Sequence, residues 1–183
     1  MTGEGPSPWV VRWTADIGAG ASVLDVACGG GRHSRLLAAR GCSVTALDRD
    51  PDCAPSLDGV PNILFVAADL EAGAWPLVDA AYDVVIVTNY LHRPLFPALK
   101  SALAHGGLLI YETFAVGNAA FGRPSNPDYL LRPRELLDAF GTDMHVLAFE
   151  DGFIAQPKPA MVQRIAVRNV DPAVPLAAER CHL

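Results

Sequence analysis

The chain has few lysines, no closely spaced cysteines and no long apolar segment, and each absence excludes a class of protein. Its cysteines form no C-x-x-C pair and have no histidine at a metal-ligand spacing, and they are Cys28, Cys42, Cys53 and Cys181. We therefore expect free thiols, with neither a disulfide framework nor a metal site. No apolar run approaches the roughly 18–20 residues of a membrane span, and the N-terminus lacks the basic and apolar regions of a signal peptide. These features predict a cytoplasmic protein without a membrane partner.

Positive charge is also scarce. The 183 residues carry 14 Lys and Arg against 20 Asp and Glu, and Lys100 and Lys158 are the only lysines. Nucleic-acid binding needs a basic face, and no cluster here supplies one, so we predict a small-molecule partner rather than a nucleic acid. The length suits a single domain over residues 1–183, with frayed tails at 1–6 and 171–183. Monomer and homodimer both stay open.

Five short apolar runs are typical of parallel strands that are buried on both faces, and they lie at residues 22–27, 43–48, 62–67, 82–88 and 107–113. Helical patterns at 32–40 and 97–104 are each followed by a glycine. A first helix is predicted after Ser7, with Pro8 at its first position. Segments 49–61 and 70–81 contain prolines, so their helices must be short or broken.

The C-terminal third has a different pattern. Residues 114–131 show no periodicity, and a loop of this length inside a domain is usually functional or disordered. A helix follows in "RPRELLDAF", and two β-like runs at 144–151 and 161–169 are expected to pair antiparallel. The sequence thus predicts an α/β fold in three layers. Its sheet would be doubly wound and seven-stranded, mostly parallel, with an antiparallel C-terminal strand, and such sheets bind ligands beyond the carboxyl ends of their strands.

A run of three glycines follows the first predicted strand, in "SVLDVACGGGRHSRLLAARG". A dinucleotide loop requires G-x-G-x-x-G, but Ser34 stands in place of the third glycine; a phosphate loop requires a lysine that "GRHS" lacks. Both interpretations are weakened and neither is excluded. Asp25 places a negative charge where it would repel a phosphate, and this favours a cationic ligand with an amine, such as S-adenosylmethionine (SAM).

Four motifs in register resemble those of the class I SAM-dependent methyltransferases, over residues 7–169. "DVACGGG" resembles the family's first motif, "VTALDRDP" ends the second strand with Asp48, and "FVAADLE" places Asp69 after the third. "YDVVIVTNYLHR" and "HGGLLIYET" resemble the fourth and fifth strands. The resemblance implies a Rossmann-like methyltransferase fold, S-adenosylhomocysteine (SAH) as product and no metal.

The same resemblance implies roles for individual residues. Asp48 would bind both ribose hydroxyls, Asp69 would lie at the adenine amino group, and Asn89 would lie at the methionine end. The full cofactor set is Asp25, Ala27, Gly29, Gly31, Arg32, Asp48, Arg49, Asp69, Leu70 and Asn89. Alternatives stay open, because Asp25 could cap a helix, Asp50 could replace Asp48 and Asp69 could form a turn. His33 could contact the cofactor or lie on the surface.

A closer resemblance is to small methyltransferases of the tellurite-resistance type. "GGGRHSRLLAARGCSVTALDRD" has an arginine and a polar residue after the glycines, as in that group, and "LLRPRELLDAF" resembles its lid helix. No N-P-P-Y or D-P-P-Y sequence follows the fourth strand, so the amino-methylating nucleic-acid enzymes match poorly.

Acceptor residues are sought around the strand ends and in the loop 114–131, which we expect to close over the acceptor. The candidates for the acceptor pocket or lid are Tyr111, Phe114, Phe121, Arg123, Tyr129 and Arg132, and those for catalysis are Tyr90, His92 and Glu112. A general base is needed only if the acceptor loses a proton, so none is assigned. The acceptor could be a thiol, a chalcogen oxyanion or a carboxylate.

Two other functions compete with methyl transfer. One is a nicotinamide-dependent oxidoreductase on a similar sheet, weakened by the missing third glycine and by the lack of a Tyr-x-x-x-Lys motif. The other is a SAM-binding module without catalytic activity. Binding of SAM distinguishes the methyltransferase and the binding module from the oxidoreductase. Turnover distinguishes the methyltransferase from the binding module.

Overall fold

A computed structural model of the chain describes residues 5–173. The tails predicted at the two ends therefore fall mainly on residues 1–4 and 174–183, outside the described residues, as does Cys181. Seven strands form one sheet in the order β3-β2-β1-β4-β5-β7-β6. The strands are β1 Ser22–Val26, β2 Ser43–Asp48, β3 Ile63–Ala67, β4 Tyr82–Thr88, β5 Leu103–Phe114, β6 His145–Ile154 and β7 Ala160–Arg168.

Strand direction agrees with the prediction from the apolar runs. Strands β1 to β5 pair in parallel with their neighbours, and β7 is antiparallel to both β5 and β6. The sheet order reverses between β1 and β4, which makes the sheet doubly wound. The predicted seven-stranded fold is confirmed, and the carboxyl ends of β1, β2 and β4 lie side by side at one edge.

Within residues 5–173, four α-helices pack on the sheet, namely α1 Pro8–Trp13, α2 Arg32–Ala38, α3 Phe96–Ser101 and α4 Glu135–Phe140. Ser7 caps α1 by accepting a hydrogen bond from the backbone N–H of Trp9, as the Ser-Pro pair predicts. The prediction that the third helix extends to residue 104 is wrong. Leu103 already pairs with Tyr82, so β5 begins before the Gly-Gly turn.

The helices lie on both faces of the sheet and give the predicted three layers. Val23 and Leu24 are adjacent in β1 and belong to different hydrophobic clusters, because side chains alternate along a strand. Trp9 of α1 and Leu37 of α2 are buried on one face, while Phe140 of α4 is buried on the other.

Residues 49–61 and 70–81 contain no α-helix, as their prolines predict, and Pro51–Ser56 forms a 3-10 helix. The long loop 114–131 contains two short 3-10 turns, Asn118–Ala120 and Pro127–Tyr129. A bridge between Ala115 and Leu131 joins its two ends. The loop therefore has a defined course across the end of the sheet. Within residues 5–173, no helix is long and apolar enough to cross a membrane.

Candidate functional site

The glycine loop between β1 and α2 adopts a conformation that few side chains tolerate. Ala27, Gly29 and Gly31 have φ values of 54°, 51° and 70°. A Cβ on Gly31 would lie 2.2 Å from Cδ2 of Leu57, so this position excludes any side chain. At Gly29 and Gly30 an added Cβ would meet no atom within 4 Å. The loop backbone thus faces open space at the carboxyl end of the sheet, where a ligand can approach it closely.

Asp48 lies at the end of β2 and is bound to this loop. Its Oδ2 accepts a hydrogen bond from the Gly29 N–H at 2.8 Å, and its Oδ1 accepts one from the Asp50 N–H at 3.0 Å. A carboxylate oxygen has two lone pairs, so each can also accept a hydroxyl of a ribose. Asp50 instead caps the next 3-10 helix through the Asp52 N–H. The geometry favours Asp48 over Asp50 as the site carboxylate.

Asp25 is 1% exposed and contacts the start of α2. Its Oδ2 accepts hydrogen bonds from Ser34 Oγ at 2.6 Å and from the Ser34 N–H at 3.1 Å. Burial raises the pKa of Asp25 to about 6, against the lowering effect of the two Ser34 hydrogen bonds. The helix-capping role is therefore present in the structure, and contact with the amine of SAM stays a prediction.

Acidic groups also gather after β3. Oδ1 of Asp69 accepts hydrogen bonds from the N–H groups of Glu71 and Ala72, which makes a turn. Burial, with the nearby negative charges of Glu71 and Asp69, raises the pKa of Tyr90 to about 12. Tyr90 is thus a neutral phenol near the predicted adenine side of the site. Leu70, between Asp69 and Glu71, is 7% exposed and offers apolar surface there.

A cavity of about 720 Å³ opens beside the glycine loop. Three separate segments form most of its wall: residues 5–8, the end of β5 with the loop after it, and the connection between β6 and β7. Arg32 and Asn89, both in the predicted cofactor set, line its border. The cavity therefore borders the predicted cofactor site at these two residues.

Several predicted acceptor residues line this cavity, namely Glu112, Phe114, Phe121 and Arg123. Tyr111 was also predicted as an acceptor residue, and it does not line this cavity. It is 1% exposed, donates its hydroxyl hydrogen to the Tyr90 carbonyl at 2.9 Å, and packs against Phe96 and Phe140. Since Glu112 faces the cavity, its neighbour Tyr111 must face the opposite side of β5.

Three further candidates lie outside the cavity wall as the described residues form it. His92 precedes the 3-10 turn Arg93–Leu95 and is not among the residues that line the cavity. Tyr129 is 53% exposed on the surface of the long loop. Arg132 donates its backbone N–H to Glu135 at the base of the loop. None of them is placed to touch a molecule in the cavity. Arg49 follows Asp48, and its role in cofactor binding stays a prediction.

Cationic side chains outnumber carboxylates in the cavity wall although the chain is acidic. Four cationic side chains line it, those of Arg32, Arg123, Lys158 and Arg164, against the single carboxylate of Glu112. Each oxygen of Glu112 accepts one hydrogen bond, Oε1 from Ser7 Oγ at 2.8 Å and Oε2 from Arg164 Nη1 at 3.2 Å. These two bonds hold the Glu112 carboxylate in the cavity wall.

Several residues of the cavity wall were not predicted as such, among them Ser7, Lys158 and Arg164. Ser7 was predicted only as a helix cap, and the β6–β7 connection with Lys158 was not predicted to reach the site. His33 is 2% exposed, and its Nε2 accepts a hydrogen bond from the Ser7 N–H at 3.0 Å, so the surface alternative is wrong. Burial lowers the pKa of His33 to about 3, which keeps the ring neutral. Because Nε2 accepts, the ring proton is assigned to Nδ1.

Among residues 5–173, no group of three or more His, Cys, Asp or Glu side chains could hold a metal ion. The cysteines described there, Cys28, Cys42 and Cys53, are free thiols. Burial raises the pKa of the Cys28 thiol far above its usual value. Cys28 thus stays protonated and packs beside the glycine loop.

Comparison with known proteins agrees with this architecture. Residues 23–107 match a family described as "Methyltransferase domain". Over 104 residues the chain is 36% identical to a trans-aconitate 2-methyltransferase from Paracidovorax citrulli, a match that covers 52% of this chain and 40% of that protein. The matched region thus spans less than half of this curated relative.

Solved structures share the fold at low sequence identity. TehB from Haemophilus influenzae superposes with a TM-score of 0.75 at 19% identity, over 90% of this chain and 63% of that one. A Burkholderia thailandensis 1,6-didemethyltoxoflavin-N1-methyltransferase, solved with S-adenosylhomocysteine, gives 0.65 at 18% identity, over 90% and 77%. The domain match, the curated relatives and this fold support a SAM-dependent methyltransferase, in agreement with the four motifs in register.

Proposed function

We propose that the protein transfers the methyl group of SAM to a small organic anion, with a carboxylate as the favoured acceptor. The observation that carries the acceptor class is the cavity of about 720 Å³ with four cationic side chains and one carboxylate in its wall. The reaction would break the bond between sulfur and the methyl carbon and form one between that carbon and an acceptor oxygen. Its products would be a methyl ester and SAH.

The residues of the glycine loop fit an adenosyl ligand. Open space over Gly29 and Gly30 admits a ligand against the backbone, and Asp48 offers carboxylate lone pairs to a ribose. Asn89 has a left-handed φ of 56°, which turns the chain at the cavity border after β4. When bound, SAM supplies a methyl group on a sulfonium leaving group. The chain itself holds the two reactants in line.

The size and charge of the cavity support an organic anion over the other acceptors. Cavities of roughly 300–1,000 Å³ hold drug-sized molecules, so an inorganic chalcogen oxyanion would leave most of this space unfilled. Phe114 and Phe121 offer apolar surface to an organic body. The Arg123 side chain forms no hydrogen bond or ion pair within residues 5–173, so its guanidinium has its donors available for a carboxylate.

A carboxylate acceptor needs no general base, because it attacks through a lone pair that it already carries. The proposal therefore assigns no base role to Glu112, whose oxygens accept hydrogen bonds from Ser7 and Arg164. The work of the protein is then to orient the acceptor and to exclude water. Trans-aconitate 2-methyltransferase is named for an acceptor that also bears carboxylates, and that name supports the proposal without fixing the acceptor here.

The test is calorimetry followed by turnover. SAM, SAH and NADH are titrated into the wild-type protein, and we expect micromolar binding of SAM and SAH alone. Phenylacetate, its neutral analogue phenylacetamide, and selenite are then offered with labelled SAM. Methylation of phenylacetate over the amide would support the proposal. Binding of NADH without SAM would favour an oxidoreductase, and SAH binding without methylation of any organic anion in a wider carboxylate panel would favour a binding module.

A further inference from the structure

Ser7 joins three parts of the site by hydrogen bonds. Its N–H donates to His33 Nε2 at 3.0 Å, and its Oγ donates to Glu112 Oε1 at 2.8 Å. The same Oγ accepts the Trp9 N–H that caps α1. Ser7 is 5% exposed, so these bonds are shielded from water. One residue ahead of the first helix therefore contacts the helix after the glycine loop and the strand that borders the cavity.

The surrounding contacts extend this arrangement on both sides. Arg32, next to His33, donates from Nη1 to the Gly5 carbonyl at 3.4 Å. On the other side, Arg164 pairs with Glu112 and lies 4.9 Å from the centre of the Trp9 ring. The segment 5–8 is thus held by residues of the predicted cofactor side and by residues of the predicted acceptor side, and it lines the cavity between them.

We infer that Ser7 and Glu112 are positioning residues that hold the segment 5–8 as a wall shared by the cofactor site and the acceptor cavity. The inference rests on the proposed function only for the identity of the two ligands. Glu112 acts through Ser7 and Arg164 and does not take a proton from the acceptor. His33, at the start of α2, is hydrogen-bonded to the same segment. An ordered start of α2 therefore favours the position of the segment 5–8 against the cavity.

The coupling has a direct physical basis. A ligand that orders the glycine loop also orders α2, whose first turn carries Arg32 and His33. These two residues contact Gly5 and Ser7, so ligand binding should lower the frequency with which the segment 5–8 opens. Energetic coupling of this kind requires only that the ligand favour the seated state over the open one.

The test compares Ser7→Ala, Ser7→Thr and Glu112→Gln with the wild type, by hydrogen exchange of backbone amides in residues 5–13 with and without SAH. Ser7→Ala removes the hydroxyl, whereas Ser7→Thr retains it as the matched control. We expect at least tenfold faster exchange in ligand-free Ser7→Ala, at least threefold weaker SAH binding, and near wild-type values in Ser7→Thr. Wild-type exchange and SAH affinity in Ser7→Ala would overturn the inference, as would faster exchange with unchanged affinity.

Glu112→Gln keeps the α1 cap and separates a positioning role from a general base. A positioning role predicts faster exchange at residues 5–13 and a raised KM for phenylacetate, with kcat within threefold and the pH profile unchanged. A fall in kcat of a hundredfold or more with loss of one limb of the pH profile would identify Glu112 as a base and overturn the inference. If phenylacetate is not methylated, the hydrogen-exchange rates at residues 5–13 alone test the positioning role. Wild-type exchange rates in Glu112→Gln would then overturn the inference.

The two proposals fail separately. Hydrogen exchange in the ligand-free protein requires no cofactor. It therefore tests whether Ser7 and Glu112 hold the segment 5–8 in place, even if the wild type does not bind SAH. Failure of the wild type to bind SAH counts against the proposed function. Asp48→Asn is the control for the ligand arm, because it should weaken SAH binding and leave ligand-free exchange of residues 5–13 unchanged.

Discussion

The Gly29 N–H donates a hydrogen bond of 2.8 Å to Asp48 Oδ2, and this bond ties the glycine loop to the end of the neighbouring strand. The two residues are 19 positions apart in the chain, and each belongs to a separate motif of the family resemblance. The bond places the glycine loop and the Asp48 carboxylate next to each other. It also identifies the first substitution to make.

Asp48→Asn should weaken SAH binding by about ten- to a hundredfold, because hydrogen bonds to a charged group contribute about 1.5–3 kcal/mol. Asp50→Asn is the matched control, since Asp50 is an exposed neighbour that caps the following 3-10 helix. Calorimetric titration of SAH measures both, and the control should stay within twofold of the wild type. Equal weakening by the two substitutions would contradict the assignment of Asp48.

Gly31→Ala and Gly30→Ala form a second matched pair. A Cβ at Gly31 would overlap Leu57, and the φ of 70° disfavours any side chain, so this variant should lose about 2 kcal/mol of unfolding free energy or more. Gly30 has open space at the same atom and should keep wild-type stability. Its methyl group would stand where a ligand approaches the backbone, so SAH affinity should fall. Urea unfolding and calorimetry separate the two effects, and unchanged SAH affinity in Gly30→Ala would contradict a close ligand approach.

Asp25 and His33 should give opposite pH dependences of stability. The pKa of Asp25 is raised from 3.8 to about 6, so the folded state holds its proton more tightly and its contribution to stability falls as pH rises from about 4 to 6. The pKa of His33 is lowered from 6.5 to about 3, so its contribution is present above pH 6.5 and is lost as pH falls toward 3. Between about pH 4 and 6 the two contributions oppose each other.

Single substitutions should expose each contribution. Relative to the wild type, the unfolding free energy of Asp25→Asn should rise with pH between 4 and 6, and that of His33→Gln should fall, each by up to about 1.4 kcal/mol per pH unit. Urea unfolding at pH 4.5 and 5.5 measures these differences, and other carboxylates cancel from them. Differences of the same sign in both variants would contradict the stated pKa directions.

Arg123→Gln should raise the KM for phenylacetate about tenfold and leave SAH affinity unchanged, since Arg123 lines the cavity and makes no other polar contact within residues 5–173. Arg132→Gln is the control, because Arg132 lies outside the cavity wall. Steady-state kinetics of methyl transfer check the pair. An equal rise in KM for both would indicate a general loss of positive charge rather than a contact at Arg123.

Much of the fold could be predicted because the apolar runs are short, bounded and buried on both faces. Asp48 could be predicted from its position at the end of the second run. Tyr111 and Glu112 are adjacent in the fifth strand, and because adjacent strand residues face opposite sides, only one of them could face the cavity. The alternation of side-chain direction along the fifth strand therefore predicts that Tyr111 and Glu112 cannot both line the cavity.

Long-range contacts could not be predicted in the same way. Ser7 and Glu112 are 105 positions apart, and Ser7 and His33 are 26 apart, with no local pattern to pair them. The approach of the β6–β7 connection to the cavity depends on the antiparallel register with β5. Such placement follows from tertiary packing, which a single sequence does not display.

The family match covers residues 23–107, whereas most of the cavity wall comes from residues 5–8 and from residues after the match. The predicted cofactor site and the proposed acceptor cavity thus lie mostly on different parts of the chain, which meet at Arg32 and Asn89. Under the proposed function, exchange of the loops 114–131 and 154–160 for those of another methyltransferase would change the acceptor and leave the glycine loop intact. Acceptor selectivity can then change while the proposed methyl transfer is kept, because one fold supports both.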